Sequence, residues 1–166
     1  MKTLLSSIAL ASSLVAVNVQ AETKTISFDT DKFYAGGGLS YNRIDSFSGS
    51  DGKANGLQVF AGYEYGQKSG FDLSGEVGFI QTDEFYSGTN VDADGLWVAG
   101  VATRALPEID SRLSAVARLG FGIDGDDGLL MGFGAQYQVQ PQIILRAEYL
   151  NKDLTQSYQV NAAYQF

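Results

Sequence analysis

The chain has 166 residues, a net charge of −8, no cysteine and no histidine. It therefore has no disulfide framework, lacks the commonest metal ligand and general base, and is too acidic to suggest a nucleic-acid partner. Glycine is abundant (20 residues) and proline scarce (2), beside many tyrosines and phenylalanines, a mixture that suits β-structure with tight turns.

The first element in chain order is Met1–Ala21, which reads as a secretory signal peptide. Lys2 supplies a positive start, Leu4 to Val17 is mostly apolar, and Val19-Gln20-Ala21 is a small-x-small cleavage site before Glu22. The apolar run is broken by serines and is too short to span a bilayer. The expected organisation is a cleaved signal, 1–21, and one domain, 22–166. No stretch after residue 21 approaches the length of a spanning helix.

Period-2 alternation dominates the remainder and marks eight segments. The first, Phe33–Asn42, sets Phe33, Ala35, Leu39 and Tyr41 on one face. The second, Leu57–Tyr65, opposes Leu57, Val59, Ala61, Tyr63 and Tyr65 to Gln58, Phe60, Gly62 and Glu64. The third, Phe71–Gln81, opposes Phe71, Leu73, Val77 and Phe79 to Asp72, Ser74 and Glu76. The fourth, Gly95–Arg104, is apolar on both faces. Expecting Arg104 to face inward puts Trp97, Ala99, Val101 and Thr103 outward. In the fifth, Arg112–Ile123, Leu113, Ala115, Ala117, Leu119 and Phe121 oppose Arg112, Ser114 and Arg118. The sixth carries Leu129, Met131, Phe133, Ala135, Tyr137 and Val139 against Gly132, Gly134, Gln136 and Gln138. The seventh carries Ile143, Leu145, Ala147 and Tyr149 against Arg146 and Glu148. The eighth carries Tyr158, Val160, Ala162, Tyr164 and Phe166 against Ser157, Gln159 and Asn161.

The links alternate too. Turn-like links follow strands two (Gly66-Gln67-Lys68-Ser69), four (around Pro107) and six (Gln140-Pro141). Polar, acidic links follow strands one (Asp45–Asn55), three (Asp83–Asp94), five (Asp124–Gly128) and seven (Asn151–Thr155). Short periplasmic turns and longer outer loops characterise outer-membrane barrels, and an even strand count returns both termini to the periplasmic side. Charges sit opposite the apolar faces, the inverse of a water-soluble barrel. A closed sheet is also what lipid demands, because an unpaired edge is not tolerated there. Aromatics fall near both ends of the segments, as two interfacial girdles would. The expected fold is all-β: an eight-stranded antiparallel up-and-down transmembrane β-barrel in the bacterial outer membrane.

Three stretches carry a family resemblance: Phe33-Tyr34-Ala35-Gly36-Gly37-Gly38-Leu39-Ser40-Tyr41, Arg146-Ala147-Glu148-Tyr149, and the ending Tyr164-Gln165-Phe166. Over nearly the whole length after the signal, the chain resembles the small outer-membrane barrels that include the OmpA transmembrane domain and OmpX-type proteins. The resemblance implies that Tyr158, Val160, Ala162, Tyr164 and Phe166 form the C-terminal signal read by the barrel-assembly machinery. It specifies no activity. No periplasmic peptidoglycan-binding domain is expected, and the loops look too short for a protruding OmpX-type sheet.

Glu64, Asp72, Glu76, Arg112, Arg118, Arg146 and Glu148 have inward parity. Isolated charges in a narrow lumen are costly, so a paired plug is expected, with Glu76, Arg118, Arg146 and Glu148 meeting at mid-depth. Asp124-Gly125-Asp126-Asp127-Gly128 has the look of a calcium loop but lacks the distal glutamate. The expected role is structural or a surface interaction, by a monomer among outer-membrane lipids and lipopolysaccharide, with no cofactor. A narrow porin-like channel is the alternative. A lipid-modifying enzyme fits least, because such barrels use a histidine that this chain lacks.

Overall fold

Alternation over eight segments produces eight strands: β1 (Phe33–Ile44), β2 (Gly52–Lys68), β3 (Phe71–Thr82), β4 (Gly95–Ala105), β5 (Leu113–Gly122), β6 (Gly128–Gln140), β7 (Ile143–Lys152) and β8 (Thr155–Gln165). The computed structural model describes residues 29–44, 51–86, 92–123, 128–153 and 155–166. The signal segment, and most of the links after β1 and β5, lie outside these. Each strand pairs antiparallel with the next, and β8 closes on β1 to complete the barrel.

Turn chemistry explains the tightest link. Ser69 and Gly70 both have positive φ (54° and 80°) between the paired residues Lys68 and Phe71, the two-residue hairpin that best matches strand twist. The sequence places this turn at 66–69. The strand instead continues past Gly66, because that glycine (φ 129°) lies at a register shift from which the ladder resumes.

The register also sets the barrel's width. Following partners from Arg43 through Gln156, Asn151, Met131, Leu119, Gly100, Gly75 and Tyr63 returns to β1 at Phe33, a shear of 10 (residue 43 to residue 33). Eight strands with that shear tilt by about 40° and give a backbone radius of about 8 Å, room for side chains only.

The faces are inverted relative to a soluble protein. Leu39, Leu57, Val59, Leu119, Phe133 and Val160 are outward and exposed, whereas Asn42, Gln58, Glu76, Arg118, Arg146, Glu148 and Asn161 are buried. Strand β4 departs from the sequence expectation by one residue. Trp97, Ala99 and Val101 are buried inside, and Leu96 and Val98 face out. Arg104, exposed near the end of the strand, stacks its guanidinium over the outward Phe71 ring at 5.5 Å. A long side chain at a strand end reaches the interface whichever face it leaves from, so it carries no parity information.

Large inward apolar side chains are accommodated by glycine. Tyr34 stands opposite Gly62, Phe60 opposite Gly36, Trp97 opposite Gly78 and Leu150 opposite Gly132, each pair in direct register. A Cβ on Gly78 would collide with the Trp97 ring and with the Val59 carbonyl. Gly78→Val is expected to destabilise by about 1–3 kcal/mol through overpacking, measured as a lowered urea midpoint of the micelle-folded protein. An unchanged midpoint would show that the Trp97 ring moves freely.

Candidate functional site

The lumen has three zones. At the end holding both described termini, Tyr34, Glu64, Asp72, Ser74, Thr103 and Arg146 line a cavity of about 30 Å³. At the other end, Asn42, Gln58, Trp97, Lys152 and Gln159 line a second of about 30 Å³. Each has room for a water or two. Between them the structure brings together Glu76, Arg118, Arg146 and Glu148.

Arg118 reaches Glu148 with two parallel bonds, Nε to Oε1 at 3.2 Å and Nη2 to Oε2 at 2.9 Å. The same Nη2 lies 2.8 Å from Glu76 Oε2. On the other side, Arg146 Nη1 donates to Glu76 Oε1 at 2.6 Å, and its Nε donates to Gln136 Oε1 at 3.3 Å. Glu76 thus sits between two guanidinium groups, and its side chain has no solvent exposure. Tyr34 OH donates to Glu76 Oε1 at 2.7 Å and lies 2.9 Å from Ser74 Oγ. With one phenolic hydrogen, the consistent chain runs from Ser74 to Tyr34 to Glu76. Two acids and two bases leave the cluster formally neutral, the condition for holding charge in a dry interior.

Local sequence explains the meeting. Arg118 lies on β5 and Glu148 on β7, with β6 between them. Their register partners on β6 are Gly132 and Gly134, so no side chain separates the pair. Aromatic rings form the walls: Arg118 lies over Trp97 at 4.8 Å and Arg146 over Phe60 at 5.9 Å, geometry in which the ring face attracts the cation.

The other charges of inward parity behave differently. Glu64 and Asp72 line the cavity at the terminal end, half-buried and exposed respectively. Arg112, expected inside, is instead exposed at the rim. It precedes β5, contacts Asp110 Oδ1 at 3.5 Å and stacks over the Tyr137 ring at 4.8 Å. Outside the strand, parity no longer dictates direction. The Arg112 backbone N–H also donates to Asp110, which holds that carboxyl below its usual range.

Two features escape a reading based on charges. The first is an uncharged amide network in the loop half. Gln58 Nε2 donates to Gln159 Oε1 and Asn161 Oδ1, both at 2.6 Å, and Gln159 Nε2 donates to Ser157 Oγ at 3.2 Å. All four residues share the inward parity, which was the available signal. The second is a cap. Phe85 and Ala93, from the link after β3, pack with Ala54 over the loop end, with Ile44 and Tyr86 against them. Ala93 N–H donates to Thr82 Oγ1 at 2.8 Å, and Asp94 Oδ1 accepts from Thr82 N–H at 2.6 Å. The sequence marks this link only as polar and acidic.

On β8, Tyr158, Val160, Ala162 and Tyr164 face outward. Phe166 is exposed; its N–H donates to the Phe33 carbonyl at 3.0 Å, and its ring lies 5.5 Å from that of Tyr164. Asp124, Asp126 and Asp127 lie outside the described residues.

Solved structures of similar fold include Ail, the attachment invasion locus protein of Yersinia pestis (18% identity, 81% of this chain and 97% of that chain, TM-score 0.53). Neisserial surface protein A is similar at 17% identity over 81% of this chain and 97% of that chain, with a TM-score of 0.54. A de novo designed transmembrane β-barrel matches at 20% identity over 84% of this chain and all of that chain, with a TM-score of 0.57. At these identities the likeness is one of fold. Among curated proteins, none matches the chain by sequence. The family model of the outer membrane protein β-barrel domain matches residues 7–166. With the closed eight-stranded sheet, its apolar exterior and its polar lumen, that match makes the chain a member of the outer-membrane β-barrel domain family, at home in the bacterial outer membrane.

Proposed function

We propose that this protein is a non-conducting, non-catalytic envelope barrel, whose work is structural or is done through its outer surface. The reading has both termini on the periplasmic side and the capped end facing outward. The observation that carries it is the position of Glu76, fully desolvated between Arg118 and Arg146 in a barrel whose radius of about 8 Å leaves space only for side chains. A hydrated ion would have to break charge-assisted bonds in a dry interior, where each partner left behind is uncompensated. The lack of histidine supports a role other than acid–base catalysis.

Single-channel recording in planar bilayers tests the closed lumen. The wild type is expected to give no large, steady openings. Openings of that kind would overturn the plug and favour the porin-like alternative.

A further inference from the structure

We propose that the loop-end cavity of the lumen holds one small monovalent anion, a halide such as chloride.

Size and sign select the occupant. The two lumen cavities are equal in volume, about 30 Å³ each, and opposite in charge. Glu64 and Asp72 outnumber Arg146 around the terminal-end cavity. Around the loop-end cavity stand Arg118 and Lys152, with no acid in the wall. Glu76 and Glu148 already balance Arg118 and Arg146, so Lys152 adds positive charge that the central cluster does not offset. A metal cation entering there meets two cationic side chains. Phosphate, sulfate and organic acids need more room than a water or two. A monatomic anion fits. Water would satisfy the polar wall but bring no charge to the ammonium.

The wall also supplies hydrogens. Register sets Lys152 opposite Thr155 across β7 and β8, and Ser157 opposite Asn42 across β8 and β1. All four residues are at least nine-tenths buried. Ser157 Oγ accepts from Gln159 Nε2 at 3.2 Å, which leaves its own hydrogen to give. The Thr155 hydroxyl makes no hydrogen bond to another described side chain. The Lys152 ammonium has three hydrogens, so a contact elsewhere still leaves others for the cavity. The amides are committed to one another instead. Gln58 Nε2 donates to Gln159 and Asn161, and Asn42 Nδ2 to Ser40 Oγ at 2.9 Å and the Ala54 carbonyl at 3.3 Å. One ammonium and two hydroxyls therefore line one small cavity. Apolar side chains complete the enclosure: Leu130 and Leu150 line it, and Ala93 closes it from the cap. Away from water, attraction between Lys152 and an anion is screened little. Exposed Lys53 on the outer face has no such enclosure.

Bromide, which scatters anomalously, locates the site in crystals of the detergent-solubilised barrel. A peak is expected between Lys152, Thr155 and Ser157, and none beside Glu64 and Asp72. Bromide at exposed arginines and lysines alone, an adventitious ion only, overturns the proposal. In solution, the urea midpoint of the micelle-folded barrel is followed as chloride replaces gluconate at constant ionic strength. The wild type is expected to show a saturable rise. Lys152→Met keeps much of the bulk but loses the ammonium, and is expected to weaken the apparent chloride affinity about tenfold, the scale of one charge-assisted bond. Thr155→Val is expected to weaken it by less, and Lys53→Met to leave it unchanged. General salt effects act on all four proteins alike, and the heat-dependent gel shift of each verifies that its barrel is closed. No saturable rise in the wild type, or the same rise in Lys152→Met, overturns the anion site. Should Lys152→Met fail to close, the bromide map and Thr155→Val decide.

Discussion

Glu76→Gln is expected to cost about 3–5 kcal/mol of unfolding free energy, read as a lowered urea midpoint of the micelle-folded barrel. The size follows from geometry. The carboxylate contacts both arginines, so its removal leaves two guanidinium groups facing one remaining acid. Second substitutions distinguish the arrangement. Glu76→Gln/Arg146→Met leaves the bidentate Arg118–Glu148 pair intact and neutral, and should recover part of the loss. Glu76→Gln/Arg118→Met leaves Arg146 and Glu148, for which no direct ion pair is seen among the described residues, and should recover less. Strict additivity in both cycles, or the reverse order, would overturn Glu76 as the shared hub.

The lipid face gives the second large effect. Leu119→Arg and Val98→Arg should each cost about 2–4 kcal/mol, the range for arginine on the lipid side near mid-depth. Leu119 faces outward on sequence and structure alike. Val98 does so only if β4 has the parity seen in the structure, with Trp97 inside. Comparable losses for the two variants verify that parity. A Val98→Arg cost well below that of Leu119→Arg would return Val98 to the lumen.

That contrast marks where the sequence was legible. Strands such as β5, where Leu119 and Phe121 alternate with Arg118 and Gly120, announce both their existence and their direction. One buried charge in mid-strand decides the face. Strand β4 offers Leu96, Val98 and Gly100 on one side and Trp97, Ala99 and Val101 on the other. Both faces are apolar because the lumen itself needs a ring there to cover Arg118. Hydrophobicity cannot separate lipid from a cation's aromatic wall, and Arg104 at the strand end misleads. The site itself was half legible. Parity nominates the charged residues, but it cannot say that Glu76 reaches Arg146 from across the barrel, since Glu76 and Arg146 lie on strands far apart in the sheet. The Phe85 cap was hidden for another reason: two adjacent aromatics, Phe85 and Tyr86, in an acidic link look like a solvated loop until Ala54 is seen packed against Phe85.

The pairing of β1 with β8 bears on how the barrel forms and fails. Seven ladders join neighbours in sequence and can zip as local hairpins. The eighth joins Tyr34–Ile44 to Thr155–Gln165 and must wait until the rest of the sheet has curled, so it carries the main loop-closure entropy of assembly. In reverse, a ring in lipid cannot peel strand by strand, because every amide released from that seam faces hydrocarbon without a partner. Its persistence is therefore a matter of rate as much as of equilibrium, and refolding and unfolding should follow separate curves when followed over the same denaturant range.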